Sequence, residues 1–184
     1  MKNTIFLILS LIILLFFIVV AIYYIFNVIH LIFSTSKKAP YIPSFDRQLK
    51  LMKELNLESW TTMVDLGCWD GKALRFFSKE YGLKELDWFD INLYAVLKWR
   101  RINKRQKIHN IKLYKKNLFK VDLKKYDYIY VYLWSTQLEI MEDWIWENKK
   151  DTATIISNTF EFKKHKPITK IKNKKGIDTI FLYE

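Results

Sequence analysis

Val64-Asp65-Leu66-Gly67-Cys68-Trp69-Asp70-Gly71-Lys72 reads as the end of a strand turning into a helix. Thr62 to Leu66 is a short apolar run stopped by glycine, and from Lys72 to Tyr81 the side chains Leu74, Phe77 and Tyr81 recur at helical spacing. In open α/β sheets ligands settle outside the carboxyl ends of the strands, and a glycine there lets backbone approach a ligand closely. The stretch therefore predicts the first strand–helix turn of such a sheet, with its ligand at that end.

Outward from this turn the chain alternates strand and helix signals. Leu86 to Asp90 reads as a strand, Tyr94 to Asn103 as a helix with a very basic end, and Ile111 to Tyr114 as a third strand. Tyr126 to Leu133 (YDYIYVYL) is β-branched and aromatic throughout. A helix over Thr136 to Glu147 and a strand over Thr154 to Ser157 follow. Such alternation implies right-handed crossovers and a parallel sheet. The end differs, because Ile168 to Ile171 and Thr179 to Tyr183 flank the turn-forming Asn173 to Gly176 and predict an antiparallel hairpin. Ahead of the sheet, Ser44 is expected to cap a helix over Phe45 to Leu55.

Ile5 to Phe33 is a different material: 29 residues without an acid, lysine or arginine, interrupted only by Ser10, Asn27 and His30. About 20 apolar residues suffice to cross a hydrocarbon core, and the run is too long for a cleaved signal peptide. It predicts one transmembrane helix, with anchor 1–36 and a second domain over 37–184. Lys37, Lys38, Arg47, Lys50 and Lys53 follow the run and only Lys2 precedes it. That bias puts the C-terminal domain in the cytoplasm. Lys2 is also the single charged side chain in the first 33 residues, so the remaining 151 carry 30 of the 31 basic residues and all 19 acidic ones, a net charge of +11. Cys68 is the lone cysteine. It excludes a disulfide within the chain and a thiolate-rich zinc site, and no metal is expected.

Three polar groups follow three successive strands: the loop after Asp65, then Asp90, placed to accept from ribose hydroxyls about 20 residues beyond the turn, then Asn117, where an adenine edge would lie. Together they point to a nucleoside-containing cofactor. The plainer reading of each is structural, with Asp65 and Asp90 capping helices, Asn117 starting a turn and Pro43-Ser44 forming a helix entry.

The turn resembles the first motif of the class I S-adenosylmethionine-dependent methyltransferases, D-x-G-x-G-x-G and variants such as D-L-G-C-G-D-G. The likeness extends through Pro40-Tyr41-Ile42-Pro43-Ser44, Phe89-Asp90-Ile91-Asn92, Asn117 to Leu123, Tyr130 to Leu133 and Ile156 to Phe160. That ordered set is similar to the protein-lysine N-methyltransferase family that includes the mitochondrial enzymes acting on the ATP synthase c-subunit and the adenine nucleotide translocase. The resemblance implies a Rossmann-like methyltransferase sheet and the cofactor S-adenosyl-L-methionine. It implies Asp65, Gly67, Cys68, Trp69, Asp70 and Gly71 around the methionine part, Asp90 at the ribose, and Asn117 with Leu118 at the adenine. Asn117 stands where the family has Asp, and Asp90 where it often has Glu. Pro43, Ser44, Tyr132, Asn158 and Thr159 are implied near the methyl-transfer opening.

Under this reading the partners are a membrane-associated protein bearing a lysine and, through the basic segments Lys98 to Lys107 and Lys163 to Lys175, anionic membrane lipid. Tyr132 and Trp134 could wall the lysine channel, and His109 and His165 are candidate bases by residue type alone. Two rivals remain: an inactive membrane-tethered binding module, and a methyltransferase acting on RNA. Nucleic acid is the less expected partner, since the basic residues lack interleaved stacking groups.

The chain holds 7 Trp against 4 Gly, although glycine is normally about 7% of residues. Trp69 stands where the motif has its middle glycine, Trp88 where the family commonly has glycine, and Trp60 in a turn before the first strand. These positions raise the expectation that UGA codons for glycine have been written as tryptophan. The alternative is a diverged cofactor site. Trp134, Trp144 and Trp146 fit a genuine apolar face.

Overall fold

The computed structural model describes residues 2–35, 44–67, 71–90, 93–174 and 176–184. The chain forms two compact units, Met1–Pro40 and Tyr41–Glu184. The first is helix α1, Lys2–Thr35, within which Leu9–Val28 is long and apolar enough to cross a membrane.

The second unit runs α2 (Asp46–Met52), β1 (Thr62–Leu66), α3 (Lys72–Glu80), β2 (Glu85–Asp90), α4 (Leu93–Arg105), β3 (Ile111–Lys115), β4 (Tyr128–Val131), α5 (Ser135–Asn148), β5 (Thr154–Asn158), β6 (Thr169–Lys172) and β7 (Thr179–Tyr183). The sheet order is β3-β2-β1-β4-β5-β7-β6. Strands β1 to β5 pair in parallel, whereas β7 is antiparallel to both β5 and β6. The expected hairpin is present, with Ile171 opposite Ile180, and its second strand is the one inserted beside β5.

Parallel strands covered on both faces need apolar side chains on both, and the β4 stretch supplies them. Tyr128 and Tyr130 join one core with Met63, Leu86, Phe77 and Ile156. Ile129 and Val131 join the other with Val64, Leu66, Leu138, Ile145 and Ile155. The strand itself is shorter than the aromatic run that announces it. Tyr126 is fully buried, but its hydroxyl donates to the buried Asp87 (2.5 Å), as does Lys125 Nζ (2.8 Å).

Helix α2 departs from expectation at both ends. Ser44 does not cap it: Phe45 is the N-cap residue, and Gln48 Oε1 reaches back to accept the Phe45 N–H at 3.0 Å. The helix stops at Met52 rather than Leu55, and the Tyr81 hydroxyl donates to the carbonyls of Met52 (2.5 Å) and Leu55 (3.0 Å). Loose carbonyls at a helix end need such a partner.

Glu142 on α5 is buried and gathers the segment after β5. Its carboxylate accepts the backbone N–H groups of Lys163 (3.2 Å), Lys164 (2.7 Å) and His165 (3.0 Å), and lies 2.9 Å from His165 Nδ1. The His165 ring also stacks on Trp146 at 3.8 Å. Burial works against ionisation of Glu142, but the hydrogen bonds from the His165 ring and the three amides outweigh it and hold the carboxyl below its ordinary value.

All four glycines have left-handed backbone, namely Gly67, Gly71, Gly82 and Gly176. Three other described residues share that region. Lys107 closes α4, donating from its N–H to the Lys104 carbonyl, and Thr159 directly follows β5. The third is Trp60, at φ +62° and 79% exposed, in a turn where its N–H donates to the Gly82 carbonyl.

Two outcomes follow for stability. Glu142→Gln should cost about 1–3 kcal/mol at neutral pH, since it weakens a buried multi-donor acceptor. A depressed carboxyl stabilises the fold above its unfolded value near 4.3 and loses that contribution as pH falls through the lower folded value. Denaturation of the full chain in detergent at stepped pH should therefore show wild type losing stability below about pH 4, with a shallower loss in the variant. Trp60→Gly should stabilise, because left-handed backbone costs an L-residue about 1–2 kcal/mol and the exposed indole packs little in return. A melting temperature raised by about 2 °C is expected, and an unchanged or lowered one would remove the strain argument.

Candidate active site

Strand order changes direction at β1, which has β2 on one side and β4 on the other. In sheets of this kind the carboxyl ends of the parallel strands at that point are the usual ligand position. Register aligns those ends: Leu66 sits beside Val131, Val131 beside Ser157, and Asp90 beside Lys115. The polar groups named from sequence at the ends of β1 to β5 are thereby brought to one edge of the sheet.

Gly67 leaves β1 at φ +118°, and a Cβ on it would lie 2.5 Å from Leu133 Cδ2. Any other residue would meet both the backbone strain and that side chain. Gly71, at φ +60°, is the N-cap of α3. Two glycines thus stand before the N-terminus of a nine-residue helix, whose amides and dipole suit carboxylate or other electron-rich groups. Cys68, Trp69 and Asp70 between the glycines lie outside the described residues, as does Pro43. Lys72 Nζ, at the start of α3, pairs with Asp46 at 2.7 Å. Hydrogen bonding to Lys72 holds the Asp46 carboxyl below its ordinary value.

Asp65 lies inside β1 and is almost fully buried, so it belongs to the wall under the turn rather than to an open lip. Asp90 ends β2 and is half-buried. Just before it, the Phe89 ring stacks on Tyr114 of β3 at 5.1 Å, nearly parallel. Asn117 is exposed, and its side chain accepts the Phe119 N–H at 3.1 Å, starting a short helical turn over Leu118–Lys120. That hydrogen bond is the plainer role foreseen for Asn117. Leu118 is half-buried against the second core.

At the ends of β4 and β5 lies a connected polar group. Gln48, buried on α2, donates through Nε2 to Tyr132 Oη (3.1 Å) and Thr159 Oγ1 (2.9 Å). Thr159 donates to Asn158 Oδ1 (3.1 Å), and Asn158 Nδ2 donates to Tyr130 Oη (3.1 Å). Thr159 itself sits at φ +73°. A non-glycine residue held in left-handed backbone at a strand end is a common accompaniment of a working site. Ser44 is buried at the start of the segment that carries Gln48. Sequence reading missed Gln48. Its signal was a polar residue close to the apolar positions Leu49 and Met52 of a short helix. Trp134 packs on Phe160 at 5.6 Å beside this group.

Neither candidate histidine is placed for base chemistry at this edge. His109 precedes β3, at the amino end of the strands, and His165 is spent on Glu142 and Trp146. Among the described residues no cluster of three His, Cys, Asp or Glu side chains could hold a metal.

The chain is similar to a curated protein-lysine N-methyltransferase of Saccharolobus islandicus, with 24% identity over 148 residues, covering 78% of this chain and 92% of that protein. Among solved structures, an RNA methyltransferase from Salinibacter ruber in complex with S-adenosyl-L-homocysteine superposes with a TM-score of 0.69 at 17% identity, over 77% of this chain and 92% of that one. A SAM-dependent methyltransferase from Aquifex aeolicus gives 0.58 at 16% identity, over 75% and 89%. At such identities the structures speak for the fold. The model of the ANTKMT methyltransferase domain matches residues 65–169, from the first glycine turn to the start of β6. By that match, more than half its length, the chain belongs to the ANTKMT methyltransferase domain family and is a class I S-adenosylmethionine-dependent methyltransferase.

Proposed function

We propose that the chain methylates a lysine amine of a membrane-associated protein while α1 anchors it as a single-pass protein with the catalytic unit cytoplasmic. The observation that carries this is the Gln48–Tyr132–Thr159–Asn158 network beside the glycine turn, in a chain whose curated relative is a protein-lysine N-methyltransferase. The apolar run and the cations that follow it support the anchor and its orientation.

When bound, S-adenosylmethionine supplies a methyl group on a sulfonium sulfur. In this reading Gly67 and Gly71, with Cys68, Trp69, Asp70 and the wall residue Asp65, hold its methionine part, Asp90 holds the ribose, and Asn117 and Leu118 flank the adenine. The lysine amine must arrive neutral and in line, so the protein's work is alignment and exclusion of water. Tyr132 and Trp134 offer aromatic faces that favour a lysine side chain along the channel. Gln48 fixes the Tyr132 hydroxyl and Thr159, while Pro43 and Ser44 lead into the opening. The proton lost by the amine goes to water, since neither histidine is placed to take it.

The anchor raises the local concentration of substrates in the same membrane without new contacts. Lys98, Arg101, Arg105 and Lys107 on and after α4 also favour anionic headgroups, at about 1 kcal/mol per nearby charge.

Three measurements test this reading. Incubating the full chain, and in parallel its Trp69→Gly variant, with labelled S-adenosylmethionine and membranes should label protein at lysine. Label in RNA, or none from either folded protein, would overturn the proposal. Asp90→Ala should weaken cofactor binding about tenfold, the loss of one hydrogen bond to a charged acceptor, without unfolding the chain. In nanodiscs, anionic lipid should protect α4 amides from hydrogen exchange, and salt should remove that protection. Equal exchange over neutral and anionic lipid would exclude the headgroup contact.

A further inference from the structure

The seven tryptophans divide into two groups. Trp99 lies under the Arg75 guanidinium at 4.7 Å, Trp134 against Phe160 at 5.6 Å, Trp144 against Phe119 at 5.2 Å, and Trp146 on His165 at 3.8 Å. Each of these four indoles has a ring or cation partner suited to it. Among the described residues, Trp60 and Trp88 have none.

Trp60 is 79% exposed in left-handed backbone. That region otherwise holds every glycine of the chain, a helix-closing lysine and the strained Thr159. An indole gains nothing there and pays the steric penalty that glycine avoids. Trp88 is the opposite case, 1% exposed in the middle of β2, its ring within the core that holds Phe77 and Leu86, yet its Nε1–H finds no acceptor. A buried indole normally places that donor. Trp69 stands in sequence between Gly67 and Gly71, whose own φ angles of +118° and +60° are ones that glycine adopts most readily. The composition agrees, since four glycines in 184 residues fall far below the usual share.

We infer that positions 60, 69 and 88 are glycine in the protein its cell makes, through UGA codons read as glycine, and that the other four tryptophans are genuine. UGA differs by one base from the glycine codon GGA, so the change asks little of the gene. The motif then reads Gly67-Cys68-Gly-Asp70-Gly71, with glycine at three alternate positions. The role of position 69 rests on the methyltransferase reading, whereas that of 60 rests on its backbone and that of 88 on the indole donor left without an acceptor.

The gene and the native protein decide the matter together. UGA at codons 60, 69 and 88, with UGG at 99, 134, 144 and 146, is the expected pattern. Peptides of the protein isolated from its own cells should then show glycine masses at the first three positions. UGG at any of those three codons, or a tryptophan mass at a UGA position, overturns the inference for that position. Neither result touches the methyltransferase reading, which stands or falls on labelled lysine.

Discussion

The structure depends on a steric constraint at the first turn. Where β1 becomes α3, the chain passes so close to Leu133 that a single added carbon at Gly67 would overlap it. Gly67 and Leu133 lie just beyond the paired ends of β1 and β4, the two strands flanking the point where sheet order reverses, and Gly71, the N-cap of α3, stands four residues on. A larger residue would have to hold left-handed backbone there and displace the Leu133 side chain. The site is thus a property of backbone path first and of side chains second.

Side chains finish the other half. The short helix α2 brings a buried glutamine to the ends of β4 and β5, where it ties Tyr132 to Thr159. Arg47 on the same helix pairs with the buried Asp178 at 2.8 Å, near the turn between β6 and β7. The helix that precedes the sheet in sequence is therefore bound at both the candidate opening and the terminal hairpin. This gives the antiparallel end of the sheet a function in placing α2, beyond closing the edge.

Much of this was legible in the sequence because each parallel strand carries its own signal. The alternate faces of YIYV enter two different cores, as β-branched and aromatic residues at period two require. The glycine turn and Asp90 were legible because both sit at strand ends with fixed spacing. Illegible were features set by distant partners. The end of α2 depends on the Tyr81 hydroxyl, its start on Gln48 rather than Ser44, and the position of β7 between β5 and β6 on pairing that a hairpin alone leaves open. Gln48 escaped notice because one glutamine in a helix carries no pattern. The strain at Trp60 is a matter of φ, which composition could only hint at.

The account stands on a cofactor site whose entry is glycine backbone. Calorimetric titration of S-adenosylmethionine into the full chain in detergent, carrying Trp60→Gly, Trp69→Gly and Trp88→Gly, tests it most directly. Saturable binding that disappears when Gly67→Ala is added is the expected result. A folded triple variant that takes up no cofactor, or one that binds it equally well with alanine at position 67, would contradict the account.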